Sequence, residues 1–226
     1  MPANFDPTKP LRLPEARRQT HFISIETLTP CYHGTSGSWR TPPDAAETNS
    51  MNLYLMRHAN AGLARGNPAL DAKRALIKEG KEQCMLMARV LSALKVQVDV
   101  VVSSPLKRAL QTAQFVGTEL GYEAKVEVSP ALAPGAEFAD FQQLLAKYAD
   151  REGVLAVGHN PSVFQFLGRL ISGNGAAAIR MRKGSVARID LDRHPPLLQW
   201  LIDPRMARSI YVSVPKSSRP KTSRKK

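Results

Sequence analysis

The sequence predicts an α/β fold, a three-layer α/β/α sandwich in which a mostly parallel central sheet carries helices on both faces. Three short apolar runs, at 53–56, 98–102 and 154–157, have the length and the low charge that are typical of buried strands. Each run is followed by a segment whose apolar residues recur at helical spacing. This alternation of strand and helix favours parallel strands joined by crossover helices.

Residues typical of helix starts and ends mark the limits of several helical segments. The pattern predicts the first helix over 76–94 and a third over 138–148. Between them, Ser104 is the predicted N-cap and Pro105 the first helical residue of a helix that ends at Gly121. A fourth helix is predicted to start at Asn160-Pro161 and to end before the glycines at 173 and 175.

The remaining elements are strands and a loop. A short strand is predicted at 125–128, and alternating or apolar segments predict two final strands at 185–190 and 197–202. The segment 60–71 is rich in Ala, Gly and Asn and is expected to be a loop that borders the functional site.

Composition divides the chain into three parts. Residues 1–50 are rich in proline and lack useful periodicity, which indicates an irregular, disordered leader, although 21–28 could add an edge strand. A single domain is expected over 51–214 and a basic, disordered tail over 215–226. Translation starting at Met51 is a further hypothesis, which mass spectrometry of the native N-terminus would test.

The charge and the cysteines suggest a cellular context. The formal net charge of +13 favours an anionic substrate or partner, and a nucleic acid is the minor alternative because the basic tail has no aromatic residue for stacking on bases. Cys31 and Cys84 do not form a disulfide framework, and the sequence shows neither a signal peptide nor a run of about 20 apolar residues. We therefore expect a cytoplasmic protein that does not contact membranes.

Charged and imidazole side chains follow the predicted strands. Arg57 and His58 end the first strand, Arg108 lies in the first turn of the helix after the second, and His159 follows the strand at 154–157. Because parallel strands bring their carboxyl ends to one sheet edge, these residues are expected to meet there and bind a phosphate or sulfate type of anion. The set suits phosphoryl transfer, with neutral His58 as a covalent nucleophile. No carboxylate cluster suggests a metal, and no cofactor is expected.

Three motifs then resemble a known family: Leu55-Met56-Arg57-His58-Ala59, Ser103 to Ala113, and Gly158-His159-Asn160-Pro161. They are similar to the histidine phosphatase superfamily, whose fold is phosphoglycerate mutase-like. The segment 73–80 resembles in particular its SixA-type branch of phosphohistidine phosphatases. Ala59 and Ala75 depart from the pattern, standing where many relatives have Gly and Pro, and neither change removes a functional group.

The resemblance implies roles for individual residues. His58 would be the nucleophile, Arg57 and Arg108 would hold the phosphoryl group, and His159 would stabilise it during transfer. Arg74 and Asn60 are further candidates for substrate binding. Glu137 is the candidate general acid, although a glutamate at a helix start also compensates the helix dipole.

The sequence leaves several functions open. The leading hypothesis is a metal-independent phosphatase that acts on phosphohistidine in a protein, such as a phosphorelay domain. A phosphatase for a small phosphorylated metabolite, a phosphomonoesterase of the same superfamily, is the alternative among enzymes. A phospho-ligand binding module without turnover is a third hypothesis, which the presence of a nucleophile at His58 disfavours.

Overall fold

The structure is a computed structural model that describes residues 51–172 and 177–213, with side chains described up to residue 210. The expected leader, the edge strand proposed at 21–28, Cys31 and the basic tail all lie outside the described residues. In the described part no helix has the length and apolar character needed to cross a membrane.

The described strands form one six-stranded sheet in the spatial order β3-β2-β4-β1-β5-β6. Neighbouring strands among the first four run parallel, whereas β5 pairs antiparallel with both β1 and β6. The sheet is therefore mostly parallel, as predicted. The strands are β1 (Asn52–Arg57), β2 (Val100–Ser103), β3 (Glu127–Val128), β4 (Gly153–Gly158), β5 (Val186–Asp190) and β6 (Leu197–Ile202).

Helices cover both faces of this sheet, which confirms the three-layer sandwich. Alternate residues of β1 point to opposite faces: Tyr54 and Met56 pack with the helices on one side, and Leu53 and Leu55 pack with those on the other. The helices are α1 (Pro68–Ala72), α2 (Lys78–Ala93), α3 (Lys107–Glu119), α4 (Phe138–Ala146), α5 (Ser162–Ser172) and α6 (Pro204–Ser213), with a 3-10 turn at Pro130–Leu132. Buried residues of α2, α3 and α6 belong to the first cluster, and those of α4 and α5 belong to the second.

Two predicted helix starts are wrong. Helix α3 begins at Lys107 with Leu106 as its N-cap, because the backbone is still extended at Leu106 (φ −74°, ψ 134°). Ser104 is therefore not the N-cap of this helix. Helix α5 begins at Ser162, and the Asn160 side-chain amide donates to the Met181 carbonyl at 3.0 Å instead of capping the helix. The predicted stop after α3 is confirmed, since Gly121 adopts the left-handed conformation (φ 84°) that favours glycine.

Two helices were not predicted. Helix α1 lies inside the expected loop at 60–71, where the Asn67 side chain accepts hydrogen bonds from the Ala69 and Leu70 amides and Pro68 takes the first helical position. Helix α6 follows β6 and buries Ala207. Its short apolar stripe is interrupted by arginines, which weakened the helical pattern in the sequence.

The parallel strands bring the predicted site residues together. The register pairs Arg57 of β1 with Gly158 of β4, and Ser103 of β2 with Val157 of β4. Just beyond the strands, the His58 amide donates to the Gly158 carbonyl at 3.0 Å and the Ser104 amide donates to the Val157 carbonyl at 2.9 Å. His58, Ser104 and His159 are consequently neighbours at one edge of the sheet.

Candidate active site

His58 is buried immediately after β1, with 7% of its surface exposed. Its ring Nδ1 lies 2.7 Å from the carbonyl oxygen of Ala59. A carbonyl can only accept a hydrogen bond, so Nδ1 carries the proton and Nε2 carries the lone pair of a neutral imidazole. The pKa of His58 is lowered to about 3, mainly by burial and also by the nearby Arg108 and Arg57 guanidinium groups, while the hydrogen bond to the Ala59 carbonyl acts in the opposite direction. His58 is therefore neutral at neutral pH, as a nucleophile requires.

His159 lies beside it, with the two ring centroids 4.9 Å apart. Its Nε2 is 2.8 Å from the hydroxyl oxygen of Ser104, and its buried Nδ1 has no partner among the described residues. Burial lowers the pKa of His159 to about 3, and His58 and Arg108 add to this effect. A bound anion would favour the protonated form of both rings, because it would offset the positive charge of the arginines.

Arg108 is the buried cation of the site. It is the second residue of α3, where free backbone N–H groups and the helix dipole also favour an anion. Its Nη1 donates to the Asp71 carbonyl at 3.0 Å and to the Asp71 carboxylate at 3.1 Å, whereas its buried Nε has no partner among the described residues. Thr112 joins this helix to the strand end, because its hydroxyl donates to the Arg108 carbonyl and accepts from the Ala59 amide.

Asp71 connects two predicted arginines. Its carboxylate accepts from Arg74 Nε at 2.7 Å as well as from Arg108, and Arg74 Nη1 also donates to the carbonyls of Ala61 and Gly62. The hydrogen bond from Arg74 holds the pKa of Asp71 well below its usual range. The structure thus places Arg74 beside Arg108, linked through a carboxylate that the sequence analysis missed. The spacing of three residues between Asp71, in α1, and Arg74, just beyond the end of α1, was the available signal for this pair.

Arg57 and Asn60 border a cavity of about 910 Å³ that Asn160 also lines, so residues that are close in sequence to both histidines contribute to it, although neither histidine lines it. Arg57 is half-buried, and its Nη1 donates to the Met181 carbonyl at 2.9 Å. The Asn60 side chain is fully engaged, because its Nδ2 donates to Glu79 at 2.7 Å and its oxygen accepts from Lys183 at 3.0 Å. Lys183, which the sequence analysis did not select, therefore lies with Arg57 and Asn60 at this rim.

Glu137 lies elsewhere. It is exposed at the N-cap position of α4, where its side chain makes no capping hydrogen bond. It lines a separate cavity of about 230 Å³ with residues of the α5 start, including Pro161 and Ser162. The structure does not bring Glu137 into the cavity that Arg57 and Asn60 border. In the described residues, no group of three or more His, Cys, Asp and Glu side chains is placed to hold a metal ion.

Comparison with known proteins agrees with this geometry. The sequence model of the histidine phosphatase superfamily (branch 1) matches residues 53–134, a range that contains His58, Arg74 and Arg108. The phosphohistidine phosphatase SixA of Escherichia coli (strain K12) is 29% identical over 166 residues, which is 71% of this chain and 100% of that protein.

Solved structures show the same likeness. A SixA protein histidine phosphatase complexed with tungstate superposes with a TM-score of 0.62 at 28% identity, covering 69% of this chain and 98% of that one. A putative phosphohistidine phosphatase SixA from Nakamurella multipartitia gives a TM-score of 0.55 at 26% identity, covering 69% and 96%. The sequence motifs, the six-stranded sheet and these relatives agree that the chain is similar to the histidine phosphatase superfamily, whose model covers residues 53–134.

Proposed function

We propose that this protein is a phosphatase that removes the phosphoryl group from phosphohistidine in a protein, through a covalent intermediate on His58. The observation that carries the proposal is the position of His58, whose neutral ring, with its Nδ1 proton held by the Ala59 carbonyl and its lone pair on Nε2, lies beside His159 and near Arg108. The likeness to SixA proteins, named as phosphohistidine phosphatases, supports this substrate class, and the tungstate bound to one of them supports a site for a tetrahedral anion.

The reaction divides into two displacements. In the first, the lone pair on His58 Nε2 attacks phosphorus, a new N–P bond forms, and the N–P bond to the substrate imidazole breaks. The departing imidazole keeps that electron pair and takes up a proton. In the second, water attacks phosphorus, the bond to His58 breaks, and inorganic phosphate leaves with neutral His58 restored.

The cations stabilise the transferring group. Arg108 contributes its unpartnered Nε, and Arg57 contributes a guanidinium whose Nε is likewise buried without a partner among the described residues. Donors that are already oriented lower the barrier because they need not reorganise as charge develops on the phosphoryl oxygens. His159 adds Nδ1, which becomes a hydrogen-bond donor when Ser104 donates its hydroxyl proton to Nε2.

The proposal assigns no carboxylic acid to the leaving group. An imidazole is a better leaving group than an alkoxide, so phosphohistidine requires less help from an acid than a phosphate monoester does. The exposed position of Glu137, away from the cavity beside His58, fits this preference. The protein should accordingly favour phosphohistidine over p-nitrophenyl phosphate.

The test compares these two substrates in the presence of a metal chelator. We expect turnover of a phosphohistidine peptide to persist in chelator, and rapid quenching without acid to trap an acid-labile phosphoryl group on the protein. His58→Ala should abolish both the trapped group and the turnover, whereas His194→Ala, at an exposed histidine in a turn, should change neither. Near-normal turnover by the His58→Ala variant would contradict the assignment.

A further inference from the structure

The cavity that Arg57, Asn60 and Asn160 line is strongly cationic. It lies between the end of β1, the segment 178–183 and the start of α6, and its volume is about 910 Å³. Among the described residues, the only carboxylate that lines it is Glu79, which already accepts hydrogen bonds from Asn60 and Gln83. The basic residues that line it are Arg57, Arg180, Arg182, Lys183, Arg205 and Arg208.

Within the described part of the chain, much of this positive charge is not neutralised by carboxylates. Arg180, Arg205 and Arg208 are exposed, and their side chains make no ion pair or hydrogen bond with any residue of the described part of the chain. Arg182, in contrast, lies 3.5 Å from the Asp203 carboxylate. Like charges converging on a concave surface create a field that attracts an anionic ligand.

The shape and lining of the cavity favour a peptide over a compact polyanion. The three unpaired arginines come from two separate segments, 178–183 and the start of α6, so more than one wall of the cavity carries positive charge. The partly exposed apolar side chains of Phe164 and Ile179 also line the cavity. A chain of phosphates has no apolar groups that could pack against these side chains, whereas a peptide does. The combination of arginine with aromatic and aliphatic side chains is typical of protein interfaces.

We infer that this cationic cavity, defined by Arg180, Arg205 and Arg208 beside Arg57, receives an acidic segment of the protein substrate next to its phosphohistidine. The identity of the reacting group rests on the proposed function, but the sign of charge that the cavity selects does not. Arg57 links the two regions along the chain, because it lines the cavity and directly precedes His58. The acidic segment and the phosphoryl group would therefore bind side by side.

The experiment uses the full chain and two synthetic phosphohistidine peptides, one with aspartates on both sides of the histidine and one with asparagines. We expect the wild-type protein to prefer the acidic peptide, mainly through a lower KM, with a preference that weakens as salt is added. In the double variant Arg180→Glu with Arg205→Glu, the preference should fall by about tenfold or more. Hydrolysis of phosphoramidate, which does not reach these arginines, should stay at the wild-type rate.

A matched control separates this effect from a general loss of positive charge. Arg89→Glu with Arg151→Glu makes the same change in net charge at two exposed arginines outside the cavity. This control should retain the preference for the acidic peptide. An equal loss in both double variants, or an unchanged preference in the cavity variant, would overturn the inference.

Binding of the unphosphorylated peptides, measured by fluorescence anisotropy, distinguishes failure of the inference from failure of the proposed function. If the wild-type protein binds the acidic peptide through Arg180 and Arg205 but hydrolyses neither phosphohistidine peptide, the cavity is supported and the proposed activity is wrong. If inorganic triphosphate or a polyuridylate RNA displaces the acidic peptide and binds more tightly, through the same arginines, the cavity serves a different polyanion and the inference is wrong.

Discussion

Replacement of Arg108 tests whether the site needs only a positive charge at this position, or a guanidinium that can bind two partners through different nitrogen atoms. Nη1 of Arg108 is occupied by the carbonyl and carboxylate of Asp71, at 3.0 and 3.1 Å, and Nε is buried without a partner among the described residues. Arginine can thus hold Asp71 with one nitrogen and a phosphoryl oxygen with another. Lysine has a single nitrogen, which Asp71 would attract.

We therefore expect Arg108→Lys to be almost as damaging as Arg108→Ala. Loss of one oriented donor to the transition state typically costs about 10² to 10³ in rate, or ~2.7 to 4 kcal/mol in the barrier. Both variants should lose kcat with phosphoramidate by about this factor. Thermal unfolding, followed in parallel, should show that both variants are folded.

Replacement of Asp71 tests the same explanation from the side of its partner. If Asp71 retains the lysine, then Asp71→Asn in the Arg108→Lys background should recover part of the lost rate, because the amide attracts the ammonium less strongly. An Arg108→Lys variant within a few-fold of the wild type would refute the need for a guanidinium that binds two partners. An Arg108→Ala variant with nearly normal kcat would place Arg108 outside the reaction.

Two other predictions concern the histidines and the domain limits. Because the pKa of His58 is lowered to about 3, kcat/KM for phosphoramidate should show no loss attributable to His58 as the pH falls through the ordinary histidine value of about 6.5. Unfolded His58 and His159 take up protons near that pH and the folded rings do not, so thermal stability should fall from about pH 7 to pH 5.5, and less in a His58→Asn, His159→Asn variant. We further propose that residues 51–214 form the domain, so a protein of those residues should fold and keep its turnover of phosphoramidate. An insoluble or inactive product would show that these limits are wrong.

The sequence was sufficient to predict the fold and the meeting of the main site residues. Apolar strands that end in polar residues allow few arrangements of the site. Parallel strands have their carboxyl ends at the same edge of the sheet, and this places residues 57–58, 108 and 159 together there. The order of strands beyond this core, including the antiparallel pairing of β5 with β1, depends on tertiary packing. No local pattern encodes it.

The misassigned residues show where local patterns fail. Ser104 followed by proline has the composition of a helix start, but the chain stays extended through Leu106 and the Ser104 hydroxyl lies against His159. Asn160 likewise resembles a cap, yet its amide is bonded to Met181. In both cases a contact between residues distant in sequence competes with a cap, and only the folded chain determines which is formed.

Asp71 was missed for a similar reason. A single aspartate in a segment rich in Ala, Gly and Asn can pair locally with Arg74, but it gives no sign that it will also bind Arg108, 37 residues further along the chain. The placement of Glu137 could not be predicted either, since a glutamate at a helix start looks the same whether the helix begins at the site or beside another cavity.

The histidine site and the cationic cavity are built from different parts of the sheet and of the chain. The histidines and Arg108 follow β1, β2 and β4 in the parallel half, whereas the segment 178–183 precedes β5 and residues 204–208 follow β6 at the antiparallel end. If the cavity selects the substrate as inferred above, mutations in the antiparallel part alter which partners are recognised while the residues around phosphorus keep their positions. In such an arrangement, duplicated copies of the gene could diverge in partner choice while their chemistry stays the same.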